Sequence, residues 1–66
     1  MQIRLNGESR EVEADTTILG LLDRSGFAGR RVAVEINREI VPRGTHAQRV
    51  LCEGDRVEIV HALGGG

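Results

Sequence analysis

The chain has 66 residues, with ten acids against nine bases, a net charge of −1, one cysteine, one aromatic residue and no lysine. That length holds one small domain, which buries roughly 60% of its unfolded surface, so the core is sufficient but thin. Balanced charge and a single ring, Phe27, exclude the basic stripe and stacking platforms of a nucleic-acid binder, and the lone Cys52 excludes a disulfide-stapled secreted scaffold.

The opening Met1-Gln2-Ile3-Arg4 lacks the apolar run of a signal peptide, and no later stretch is long enough for a membrane span. The expectation is a soluble cytoplasmic protein without a membrane partner. Ile3 and Leu5 alternate with Gln2, Arg4 and Asn6, and Asn6-Gly7 supplies a tight-turn signal. Arg10 to Glu13 reads as the return strand of a hairpin, with Val12 facing inward. Asp15, Thr16 and Thr17 offer capping oxygens ahead of Ile18, and Ile18, Leu21, Leu22 and Ser25 fall on one helical face. Gly20 weakens that helix slightly. Gly26 stands where a left-handed C-terminal residue belongs, followed by Phe27 as an apolar lid.

The second half returns to period two. Val32, Val34 and Ile36 alternate with Ala33 and Glu35, and Asn37-Arg38 turns the chain into Glu39-Ile40-Val41, which Pro42 ends or places at an edge. Arg43 to Glu53 is irregular and reads as a loop with one short helical turn, Leu51 being its best core candidate. Gly54-Asp55 turns into the last strand, where Val57, Ile59, His61 and Leu63 share one face and Glu58, Val60 and Ala62 the other. One helix on a sheet, in the order ββαβββ, is an α+β domain over residues 1–63, followed by a flexible tail, Gly64, Gly65 and Gly66.

Glycine has no Cβ, so such a tail is thin enough to enter a slot that any other residue blocks. Its main-chain carboxylate is an anion near neutral pH and a poor electrophile. Adenylation by ATP converts such a group to an acyl donor. The chain has no Walker-type phosphate loop, so the ATP belongs to a partner. Three extended residues reach about 10 Å into that partner. Arginine in place of every lysine leaves no side-chain amine for an activated terminus to acylate, although base composition explains the bias as well.

Three segments resemble a known family: Leu5-Asn6-Gly7-Glu8, the stretch from Val32 to Arg43 containing Val-Glu-Ile-Asn-Arg-Glu-Ile-Val-Pro-Arg, and Gly54-Asp55-Arg56-Val57-Glu58-Ile59-Val60. With the terminal Gly65-Gly66 they are similar, over essentially the whole chain, to the ThiS family of sulfur carriers, which have the ubiquitin-like β-grasp fold. The resemblance implies a mixed sheet with the first and last strands side by side and parallel at its centre. It also implies a ThiF-type adenylating enzyme acting on Gly66, sulfur from a persulfide-bearing protein, a C-terminal thiocarboxylate, and delivery to a ThiG-type thiazole synthase in thiamin biosynthesis. A molybdopterin-type carrier or a ubiquitin-like modifier uses the same Gly-Gly terminus and is the alternative.

The remaining side chains give weaker signals. Val60 and Ala62, with Ala33 across the sheet and His61 near the tail, are candidates for a partner docking patch. Arg43, Arg49 and Arg56 are candidates for steering toward an acidic partner, against the default of a solvated charged face. Cys52 reads as a small, partly buried hydrophobe rather than a sulfur relay, and His46 and His61 as solvated or edge residues rather than metal ligands. No catalytic set or cofactor loop is present, so the expectation is a non-enzyme with no bound cofactor.

Overall fold

The computed structural model describes residues 1–61; residues 62–66 lie outside the described part. Five strands form one mixed sheet: β1 (Gln2–Leu5), β2 (Glu8–Glu11), β3 (Val32–Ile36), β4 (Glu39–Val41) and β5 (Arg56–His61). Their spatial order is β2-β1-β5-β3-β4. A single helix, α1 (Ile18–Arg24), follows β2, and a short 3-10 helix (Arg43–Thr45) follows β4. β1 and β5 run parallel, with Leu5 beside Val57, and every other pairing is antiparallel. The central strand is therefore the last one.

Both hairpins are set by two-residue turns in the left-handed region. Asn6 and Gly7 have φ of 50° and 87°, and Asn37 and Arg38 have 51° and 73°. This backbone matches the strand twist, so pairing resumes at once, Leu5 opposite Glu8 and Ile36 opposite Glu39. The return strand accordingly lies at Glu8–Glu11, not at Arg10–Glu13. All four of its residues are exposed, so no alternation of apolar side chains marks it, and its ladder alone defines it. Val12 follows the strand, half-buried against the core as expected.

Thr17 caps the helix, its Oγ1 accepting the Gly20 N–H at 3.1 Å. At the other end, Gly26 at φ 86° lets the Phe27 N–H reach the Leu22 carbonyl at 2.8 Å, while its own N–H reaches that of Asp23 at 3.4 Å. This pair of bonds closes the helix as a Schellman motif. Ile18, Leu21 and Leu22 are buried against Ile3, Leu5, Val34, Ile36, Val41, Val57 and Ile59 of the sheet, and Leu51 joins the same cluster.

Two side chains depart from expectation. His46 is buried, its ring nitrogen 3.2 Å from the Val41 carbonyl, because the segment after the 3-10 helix folds under β4 and bonds to the helix start. The Leu19 N–H donates to the His46 carbonyl at 3.0 Å and the Ile18 N–H to that of Arg49 at 3.0 Å. Cys52 is exposed rather than partly buried. It lies in the turn before β5, where it contributes its backbone N–H and not its thiol.

Candidate functional site

β5 is the last strand before the terminal glycines in the chain, so the candidate site is built from what holds β5. Ladders hold this strand on both sides, from Arg4 and Leu5 of β1 and from Val32 to Ile36 of β3. Three polar side chains from the corner loops add to them. Asn6 turns its Oδ1 to the Ile59 N–H at 2.8 Å. Asn37 Oδ1 accepts the Arg56 N–H at 3.0 Å and its Nδ2 donates to Asp55 at 3.1 Å. Asp55 is buried, and its other oxygen accepts the Cys52 N–H at 2.8 Å. Asn6, Asn37 and Asp55 belong to the segments that carry the family resemblance, and here each has a physical task. Asparagine both tolerates positive φ and bonds nearby main chain.

This division of labour is measurable at Asn6. Asn6→Gly keeps the left-handed turn accessible but removes the acceptor for the part-buried Ile59 N–H. A loss of about 1–3 kcal/mol is expected from leaving that donor unpaired. Urea unfolding of this variant against Asn6→Asp, which retains an acceptor, isolates the bond from the turn.

Beyond this anchorage, the candidate residues separate. Val60 is 54% exposed on the outer face of the sheet and pairs directly with Ala33. His61 is exposed at the end of β5, its ring 5.6 Å from that of Phe27 at a tilt of 55°. Ala62, Gly64, Gly65 and Gly66 lie outside the described residues. Arg56 shares the outer face with Val60, but Arg43 and Arg49 belong to the segment bonded to α1 on the other side. The three arginines do not form one patch.

A groove of about 360 Å³ lies beside β4, lined by Ile36, Ile40, Val41 and Pro42 with Glu39 as its one carboxylate. Its lining contains neither histidine nor cysteine, and the Thr45 hydroxyl there donates to the Pro42 carbonyl at 2.8 Å. Among the described residues no cluster of three His, Cys, Asp or Glu side chains could hold a metal ion, and no helix is long and apolar enough to cross a membrane. Glu11 has its carboxyl held below the ordinary range by hydrogen bonds from the Met1 ammonium and from Gln2. That pair is at the sheet edge, remote from the end of β5.

A five-stranded mixed sheet with parallel central β1 and β5 and one helix packed on it defines a β-grasp domain of the ubiquitin-like kind. The solved structure of ThiS from Geobacter metallireducens superposes with a TM-score of 0.85 at 30% identity, each chain covered in full. The ThiS family model matches residues 3–66. The sulfur carrier protein ThiS of Bacillus subtilis is 38% identical over 97% of this chain and 98% of its own, and that of Escherichia coli 32% over the whole of both. The chain belongs to the ThiS family. It is also 53% identical, over its whole length, to part of a thiazole synthase of Magnetococcus marinus, of which it spans 20%.

Proposed function

We propose that this chain is a sulfur carrier in the formation of the thiazole moiety of thiamin, with the main-chain carboxylate of Gly66 as the reacting group. The observation that supports the reading is a family match that runs through Gly66 and joins the glycine run to a strand fixed on both sides. In the first step a carboxylate oxygen attacks the α-phosphate of ATP held by a ThiF-type partner, releasing pyrophosphate and leaving an acyl-adenylate. The terminal sulfur of a protein persulfide then attacks the carbonyl carbon and expels AMP. A thiol supplies two electrons to break the resulting acyl disulfide, which frees the thiocarboxylate and leaves a disulfide behind. A ThiG-type thiazole synthase receives the sulfur, the C–S bond at Gly66 breaks, and an oxygen from the acceptor or water takes its place, which restores the carboxylate.

In this scheme the domain is a co-substrate and holds no cofactor; binding and catalysis belong to its partners. The adenylated carbon is carried on three residues without side chains, Gly64, Gly65 and Gly66, and the rest of the chain presents them. A thiocarboxylate tethered in this way keeps reduced sulfur from diffusing away as sulfide. The likeness of the whole chain to part of a thiazole synthase supports that destination for the sulfur.

The test is intact mass spectrometry after incubation with a ThiF-type enzyme, ATP and a persulfide donor. Replacement of oxygen by sulfur adds about 16 Da, the same as one oxidation of a methionine or cysteine. Fragmentation is therefore expected to place the increment on Gly66 and not on Met1 or Cys52. An increment confined to Cys52 overturns the reading.

A further inference from the structure

On the carrier reading above, every amine of the molecule competes with sulfur for the activated terminus. A neutral amine attacks the carbonyl carbon of an acyl-adenylate: the C–N bond forms, the C–O bond to AMP breaks, and the nitrogen sheds a proton to water. The product is an amide, from which no thiocarboxylate follows. The chain has nine arginines and no lysine, and a guanidinium stays protonated and does not attack. The amine that remains among the 66 residues is the α-ammonium of Met1. An unrestrained α-amine titrates at about 7.7–8.0, against about 10.4 for lysine, so among protein amines it has the largest neutral share near physiological pH. A surface without lysine therefore leaves the more reactive kind of amine in place.

In the structure that group is engaged. The Met1 ammonium donates to the Val12 carbonyl at 2.6 Å, in a part-buried setting, and to Glu11 Oε2 at 3.1 Å. Glu11 is itself set in place, because its Oε1 accepts the Gln2 side-chain amide at 3.1 Å and Gln2 Oε1 accepts the Ser9 hydroxyl at 2.7 Å. Three side chains of β1 and β2 thus converge on the head of the chain. An exposed ion pair adds little to stability, and base composition, which accounts for arginine over lysine, has no bearing on where Glu11 stands. The head also lies beyond the reach of its own tail. Gln2 is two residues ahead of Arg4, which pairs with Arg56 on the parallel β5, and His61 is five residues beyond Arg56. Those seven strand residues span about 23 Å at about 3.3 Å each, whereas residues 62–66 extend over about 18 Å at most. Acylation of the head therefore joins two copies and does not close one copy into a ring.

We infer that the chain is built to be a poor acyl acceptor for the activated terminus of another copy, and that Glu11 is the positioning residue that completes this by holding the Met1 ammonium. The activated terminus rests on the carrier reading; the restraint on the head does not. The exposed Cys52 thiol needs no such restraint, because an acyl group on sulfur stays exchangeable with other thiols, whereas an amide is permanent. The arrangement also bears on specificity. A modifier that is extended into chains on its own copies needs an amine of the kind withheld here, and a carrier that returns for another sulfur is harmed by one.

The experiment incubates the chain with a ThiF-type adenylating enzyme and ATP, without a sulfur donor, and reads linked copies by intact mass as two chains less one water. The wild type is expected to release pyrophosphate and to form no linked copies. R10K/R38K places lysines at two exposed sites with the charge unchanged, and is expected to give copies joined from Gly66 to a lysine nitrogen, located by fragmentation. E11Q is expected to give copies joined at Met1, with a melting temperature close to the parent's. Acetylation of Met1 by an N-hydroxysuccinimide ester needs no adenylating enzyme, and should run about two- to fivefold faster in E11Q than in the wild type. A role of Glu11 in stability alone does not move that rate. Wild-type copies that link as readily as the variants overturn the inference. So does equal acetylation of Met1 in the two chains, or an absence of linkage in R10K/R38K. If the wild type releases no pyrophosphate, it is the carrier reading that fails; the acetylation contrast then still decides whether Glu11 restrains the head.

Discussion

Deletion of Gly65 and Gly66 is expected to abolish sulfur transfer while leaving the melting temperature unchanged. Among the described residues, the core cluster, both hairpins, the capped helix and the side-chain bonds to β5 are complete without the deleted pair. Reactivity, under the carrier reading, has its source in the last carbonyl carbon alone. Removing two extended residues withdraws that carbon by about 7 Å, and an in-line attack on a phosphate tolerates far less misplacement than that. Thiazole formation in a reconstituted mixture, or growth without added thiamin, reads the activity, and circular dichroism on heating reads the fold. Activity that survives the deletion removes the carrier reading, and so does transfer by a chain whose terminus is capped as an amide.

The largest effect on stability is expected at Ile18. It is the first residue of α1, fully buried at 0% exposure, and its N–H is bonded to Arg49. Ile18→Ala removes three carbons from a site where helix, sheet and the 46–51 segment meet. Such truncations cost about 2–5 kcal/mol, the cavity adding to the lost transfer energy. A domain of this size has only about 3–10 kcal/mol in total, so this one change takes a large share of it. The expected fall in melting temperature is roughly 8–40 °C, from about 4–8 °C per kcal/mol in small domains. Val60→Ala on the outer face is the control and should stay within about 0.5 kcal/mol of the parent. Equal losses at the two sites would mean that the core is not where the structure puts it.

The sequence disclosed those parts of the molecule whose signals are local. Asn6-Gly7, Asn37-Arg38 and Gly26 each require an unusual φ, and such requirements leave a mark in residue type. The alternation in β3 and β5 was legible because one face of each strand is buried. β2 was misplaced because it buries nothing. His46 was misread because its burial depends on a distant partner, the segment folding beneath β4, and no neighbour in sequence announces that. The parallel pairing of β1 with β5 joins the two ends of the chain and has no period of its own; resemblance supplied it. Of the site, alternation puts Val60 on the outer face of β5, whereas its register opposite Ala33 appears only in the structure.

The placement of β5 also has a mechanical side. Backbone bonds in a ladder stand across the strands, and β5 has such ladders on both flanks, with Asn6 and Asn37 clasping it besides. A pull on the terminus along the strand loads these bonds together instead of peeling them off one at a time. An enzyme that grips the end therefore pulls against the ladders on both flanks at once.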